Sequence, residues 1–138
     1  MAIQNYRELD VWQRAMDLVD AVYDLTAQYP SSGRFGLVSQ MQRAAVSIPS
    51  NIAEGYGRKH RGDYLRFLSI SRGSLCEIET QLLISVRRKF ATQVEIDTAW
   101  QLCQRVGQML YRLMESLERT RDALPSPAET ESSPPKPR

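Results

Sequence analysis

Two runs of cations are the residues of this chain best suited to chemistry: Arg58-Lys59-His60-Arg61 and Arg87-Arg88-Lys89. Guanidinium and ammonium groups bind phosphate oxygens, and the first run sits beside Gly55 and Gly57, which leave backbone amides accessible as further anion donors. Phosphate binding is one reading of both runs. The other is solvated loop charge, with Arg87 to Lys89 also favoured by the dipole at a helix C-terminus. The charge is placed unevenly. Residues 1–33 hold two Lys/Arg and five Asp/Glu (net −3), residues 34–89 hold ten and four (net +6), and residues 90–138 hold six and seven (net −1).

Catalytic constellations are harder to find. Glu54, Glu77 and Glu79 suggest a carboxylate-bridged metal pair, but such bundles use Glu-x-x-His pairs on two helices and the one histidine, His60, falls in a predicted loop. No metal or cofactor is expected. Ser47, Ser50 and Ser74 have no histidine on a neighbouring helix to activate them. Cys76 and Cys103 lie in apolar helical patterns outside any CxxC, and so read as reduced, buried thiols. Neither GxxxxGK[ST] nor GxGxxG occurs, and Gly55-Tyr56-Gly57 reads as a helix end. Arg43, Arg66 and Arg72 share predicted helices with the glutamates. They either line a groove together or, the favoured reading, pair with carboxylates between helices or subunits. These absences point away from an enzyme.

The elements that must position these residues are helical. At 42% hydrophobic and 25% charged, the 138 residues match a soluble globular domain, so the fold must come from patterning. Val11, Ala15, Leu18, Val22 and Leu25 repeat at heptad-like spacing from about Asp10 to Gln28, ahead of Tyr29-Pro30. Leu37, Met41, Ala44/Ala45, Ile48 and Ile52 mark a second helix from about Phe35 to Tyr56. Tyr64, Leu68, Ser71, Leu75, Ile78 and Leu82 mark a third from about Gly62 to Phe90. Ala99, Cys103, Val106, Leu110, Leu113 and Leu117 mark a fourth from Thr92 to about Asp122. Short connections predict an all-α, up-down-up-down antiparallel four-helix bundle over residues 1–122. Pro49 predicts a kink or a break in the second helix, with Ser47, Ser50 and Asn51 able to bond the freed backbone groups. Trp12, Tyr23, Tyr64, Phe67, Trp100 and Tyr111 are expected in the core or at a subunit interface. Residues 123–138 carry Pro125, Pro127, Pro134, Pro135 and Pro137 and are expected to form a disordered tail.

The segment Gln40-Met41-Gln42-Arg43-Ala44-Ala45-Val46-Ser47-Ile48-Pro49-Ser50-Asn51-Ile52-Ala53-Glu54-Gly55-Tyr56-Gly57-Arg58 resembles, almost residue for residue, the hallmark of the four-helix-bundle proteins encoded by 23S rRNA intervening sequences. Its Arg43, Ser47, Pro49, Ser50, Asn51, Glu54 and Gly55 carry the motif. Leu9 to Met16, Tyr29-Pro30 and Gly73 to Leu82 agree with the same pattern, so the resemblance spans roughly residues 6–120. The chain departs from it at Ser31-Ser32-Gly33, where acidic residues are common, at the more basic Val86 to Phe90, and in the tail. More distantly, the chain is similar to the accessory variability proteins of diversity-generating retroelements, which bind a reverse transcriptase and nucleic acid. The resemblance implies a bundle that assembles as a homopentamer with a basic surface.

The resulting expectation is a cytoplasmic homo-oligomer that binds RNA or DNA with little sequence specificity and makes no use of a membrane. The alternative is an adaptor that recruits a protein partner such as a reverse transcriptase. Extra apolar residues beyond one core's need, Trp12, Met16, Tyr23, Phe67, Ile70 and Leu83, support self-association.

Overall fold

The computed structural model describes residues 4–31 and 34–123. Among them are four long helices and no strand: α1 (Asp10–Thr26), α2 (Ser39–Tyr56), α3 (Arg61–Arg87) and α4 (Gln93–Ala123). The proline-rich tail lies outside the described residues. No helix among them is long and apolar enough to cross a membrane.

Local chemistry sets the ends. A 3-10 turn, Tyr6–Glu8, leads into α1, and Asn5 holds it by accepting the Arg7 N–H at 2.9 Å. One π-helical turn, Arg34–Val38, precedes α2, where the apolar spacing predicts a regular start near Phe35. α4 opens on a reciprocal capping box: Thr92 Oγ1 accepts the Glu95 N–H at 3.1 Å, and the Glu95 carboxylate accepts the Thr92 N–H at 2.8 Å. α3 closes with two reverse bonds, Phe90 N–H to Ser85 O at 2.9 Å and Lys89 N–H to Val86 O at 3.1 Å. That pairing needs a left-handed residue, and Lys89 supplies it at φ 62°.

The predicted stripes meet in one core. Val11, Ala15, Leu18 and Val22 of α1, Met41, Ala45, Ile48 and Ile52 of α2, Leu68, Ile78 and Leu82 of α3, and Ile96, Cys103, Val106 and Leu110 of α4 are all buried. Each large one contributes about 1.5–3 kcal/mol relative to exposure. α1 packs on α2 and α4, and α3 packs on the same two.

The α2–α3 contact is the tightest, and small residues make it so. A Cβ at Gly55 would stand 2.8 Å from Phe67 Cβ and 3.0 Å from a Tyr64 ring carbon. Further along, Ser71 Oγ donates to Ile48 O, and Ser74 Oγ to Ser47 Oγ, each at 2.9 Å. Ser85 Oγ donates to Gln81 O at 2.8 Å and touches Met41 Sδ at 3.8 Å.

One expectation is corrected. Cys76 is exposed, not buried, because it lies one step off the stripe that Leu75 and Ile78 carry inward. Of the kink or break expected at Pro49, the break is excluded, because α2 runs unbroken through it. Asn51 Nδ2 bonds Ser47 O at 2.8 Å and Ser47 Oγ at 2.9 Å, but the carbonyl that Pro49 deprives of its usual amide is Ala45's, which none of these side-chain bonds reaches. Of the aromatics, Trp12, Tyr64 and Trp100 are half-buried against the core and Phe67 is half-buried, while Tyr23 and Tyr111 are exposed.

Two glycines should respond oppositely to the same substitution. Alanine is favoured over glycine in a helix by about 1 kcal/mol. Gly73→Ala meets nothing within 4 Å and should stabilise the protein by that order, whereas Gly55→Ala must push α3 away and should cost about 1–3 kcal/mol. Urea unfolding of both variants checks the pair, and equal shifts would refute the close approach. The thiols should also separate. Burial, and secondarily the Glu79 charge, pushes the Cys103 thiol up to about 12, so its thiolate is scarce in mildly alkaline buffer. A disulfide reagent should modify Cys76 alone in the native protein and both cysteines once it is unfolded.

Candidate nucleic-acid interface

The first basic run forms the corner between α2 and α3. Gly57 caps α2, Arg58 N–H bonds Gly55 O at 3.1 Å, and His60 turns to extended backbone before α3 begins at Arg61. Lys59 and His60 are exposed and form no ion pair among the described residues. Arg61 is half-buried. Arg58 is held twice: its Nη2 lies 2.9 Å from Glu54 Oε2, and its guanidinium carbon is 4.8 Å from the Phe67 ring centre. Arg66 lies over the same ring at 4.7 Å and 4.0 Å from Asp63 Oδ1.

The second run stands at the other end of α3. Arg87 ends the helix, Arg88 caps it and Lys89 makes the left-handed turn, all exposed. The 27 residues of α3 separate the runs by about 40 Å at the helical rise. They are not one patch on a single chain. Lys89 also holds a conformation that costs a non-glycine residue about 1 kcal/mol.

The hallmark residues are largely structural. Ser47 accepts from both Asn51 and Ser74, and Gly55 makes room for α3. Pro49 is buried, and with Ser50 it lines an apolar groove between α1 and α2 of about 310 Å³, shared with Tyr6, Trp12, Met16 and Val46. Tyr6 and Trp12 meet edge to face there at 5.4 Å. Arg43 and Glu77 do line a common groove between α2 and α3, with Ser47 and Ser74, but Arg43 bonds Ser39 Oγ at 3.4 Å and makes no ion pair among the described residues. The expected pairing between helices is not found: every ion pair among the described residues joins positions three or four apart. Glu79 accepts from Gln104 of α4 at 3.0 Å, Glu54 is spent on Arg58, and Arg72 shares a groove with Tyr111, Glu115, Glu118 and Arg119 of α4 but forms no ion pair among the described residues. The three glutamates therefore do not converge. No cluster of three metal-ligating side chains occurs among the described residues.

The shifted groups are buried rather than activated. Burial, and then Tyr56, pushes the Tyr64 phenol up to about 12. Burial is also the main cause that raises Tyr29, with Ser85 acting against it. Sequence reasoning missed the support that Phe67 gives to Arg58 and Arg66, since it treated Phe67 only as core or interface. It also missed a small polar seam on α3. Ser71, Ser74, Ile78, Gln81 and Ser85 are buried at spacings of three and four, and that spacing was the available signal.

The fold agrees with that of a protein of unknown function from the S23 ribosomal protein family of Bacteroides thetaiotaomicron. Its crystal structure matches with a TM-score of 0.70 at 18% identity, over 76% of this chain and 95% of that one. Comparison with curated proteins gives no match. The sequence model described as the 23S rRNA-intervening sequence protein matches residues 7–112, which include the hallmark, the Phe67 support and both basic runs. With that match covering well over half its length, the chain belongs to the 23S rRNA-intervening sequence protein family.

Proposed function

We propose that this protein is a non-enzymatic, cytoplasmic homo-oligomer that binds RNA or DNA through backbone phosphates with little sequence specificity. The observation that carries the reading is the pair of exposed basic runs at the two ends of α3, one of which keeps a lysine at φ 62° where glycine would be cheaper. The family's name, which refers to an rRNA insertion, is in keeping with it. The contacts Met41–Ser85, Ser47–Ser74 and Ile48–Ser71, which ascend α2 as they descend α3, support an up-down-up-down antiparallel bundle as the repeating unit. Met16, Tyr23, Val46, Ile70, Leu83 and Ile84 remain exposed on the single chain and support its burial in an assembly, expected to be a pentamer. A ring would repeat each weak cationic site and so raise avidity for a long strand.

A second reading rests on the apolar groove over Pro49. Its edge-to-face Tyr6–Trp12 pair is the kind of surface on which an adaptor would seat a protein partner.

Sedimentation equilibrium at micromolar concentration should give a multiple of the chain mass. A monomer there would remove the assembly. In low-salt anisotropy titrations the oligomer should bind oligonucleotides of unrelated sequence alike. Replacing Arg58, Lys59 and Arg61 together by Ser should lower affinity for all of them, and reduce the log–log salt slope by roughly one for each phosphate no longer neutralised. Lys89→Gly should stabilise the fold by about 1 kcal/mol while weakening binding. Absence of binding to any single- or double-stranded RNA or DNA would favour the adaptor.

A further inference from the structure

Arg58 and Arg66 lie over one ring, that of Phe67, at 4.8 and 4.7 Å from its centre. Their guanidinium carbons therefore stand no more than 9.5 Å apart. The Phe67 Cβ comes close to α2 here, occupying space that a side chain on Gly55 would need. The glycine lets α3 come against α2, and Phe67 there gathers one cation from the loop after α2 and one from its own helix. A guanidinium resting on an aromatic ring gives up little further freedom when its N–H edge takes up an anion, and that edge fits phosphate with two parallel bonds.

We propose that Arg58 and Arg66, held on Phe67, form a twin-guanidinium clamp for neighbouring phosphates of one nucleic-acid strand. The clamp rests on the proposed nucleic-acid binding and locates it at the α2–α3 corner. Neither Arg66 nor Phe67 belongs to the basic runs of the sequence. In the free protein Glu54 and Asp63 occupy the guanidiniums, at 2.9 and 4.0 Å. All four side chains are 43–60% exposed. Ion pairs as exposed as these contribute little, so a phosphate can displace the carboxylates. Glu54 and Asp63 thus act as stand-in anions that the strand must replace. Lys59 on the connecting loop and Arg61 at the start of α3 add charge to the same corner.

Anisotropy titration of the full chain with fluorescein-labelled oligouridylate tests the clamp, with folding followed by circular dichroism. Phe67→Leu should weaken binding about three- to five-fold, the worth of an exposed cation–aromatic contact, although it changes no charge. Glu54→Gln should strengthen binding by freeing Arg58, and this exposed substitution settles the matter if Phe67→Leu fails to fold. Arg66→Lys keeps the charge, so it should bind less well than wild type if stacking matters and equally well if only charge does. Wild-type binding that none of the three substitutions alters would overturn the clamp and leave the proposed function standing. A wild-type protein that binds no oligouridylate would overturn the clamp, while binding to other nucleic acids would decide the broader reading separately.

Discussion

The missing side chain at Gly55 is the constraint on which most of this structure depends. With any Cβ there, α2 and α3 could not approach at the Tyr64–Phe67 turn, and the serine seam further along would part with them. Buried hydroxyls left without partners cost about 1–3 kcal/mol each. Ser71, Ser74 and Ser85 avoid that only because a carbonyl or hydroxyl lies within 2.9 Å of each. The seam thus works as a register device, since sliding α3 by one turn would leave Ser71 without Ile48 O and Ser74 without Ser47. Among the described residues Gln81 Oε1 and Tyr64 Oη remain buried without a hydrogen bond, so the satisfaction is incomplete.

Pro49 looks like a fault in α2 when considered alone, at about 3 kcal/mol for a helix interior. Its surroundings change that assessment. The ring is buried and forms part of the wall of the α1–α2 groove, so some of the penalty is offset by apolar burial. The nearby side-chain bonds do not repair the lost amide bond. They instead pin Asn51 to Ser47 and Ser47 to Ser74, tying the proline segment to α3. Within one chain, the hallmark's work is mostly to dock α2 on its neighbours.

Apolar periodicity was enough to place four helices within a few residues of their observed ends, because each stripe is long and no strand pattern competes with it. It was weaker wherever the core is not apolar. A stripe read through leucines and isoleucines includes Ser71 by position but passes over Ser74, Gln81 and Ser85, which are just as buried. The same habit assigned Cys76 to the interior on residue type, when its place on the helix wheel faces outward. Lys89 could not have been recognised as a left-handed turn residue, since nothing in its side chain favours that conformation and a glycine would ordinarily mark it. For the candidate site, the cationic runs were legible as charge. Their separation followed from the predicted length of the third helix. The Phe67 contacts did not, because they depend on an interhelical distance set by Gly55.

That separation limits how the basic runs can act. About 40 Å of helix prevents a few nucleotides from reaching both ends of one α3, and charges so far apart are screened from each other at physiological salt. Two arrangements would still let several basic runs serve one long ligand. A long strand could run along the outside of the bundle, or neighbouring copies could bring the same pole of several chains together. The first would have to pass the mixed charges along α3, where Glu77 and Glu79 stand among the arginines. The second would repeat one corner and avoid Glu77 and Glu79, so under the proposed function assembly and phosphate binding would favour each other. It also assigns the poles different weight. The α2–α3 corner has cations seated on an aromatic ring, while the α3–α4 turn has cations on a strained backbone, and only the first is built from the residues that hold α2 to α3.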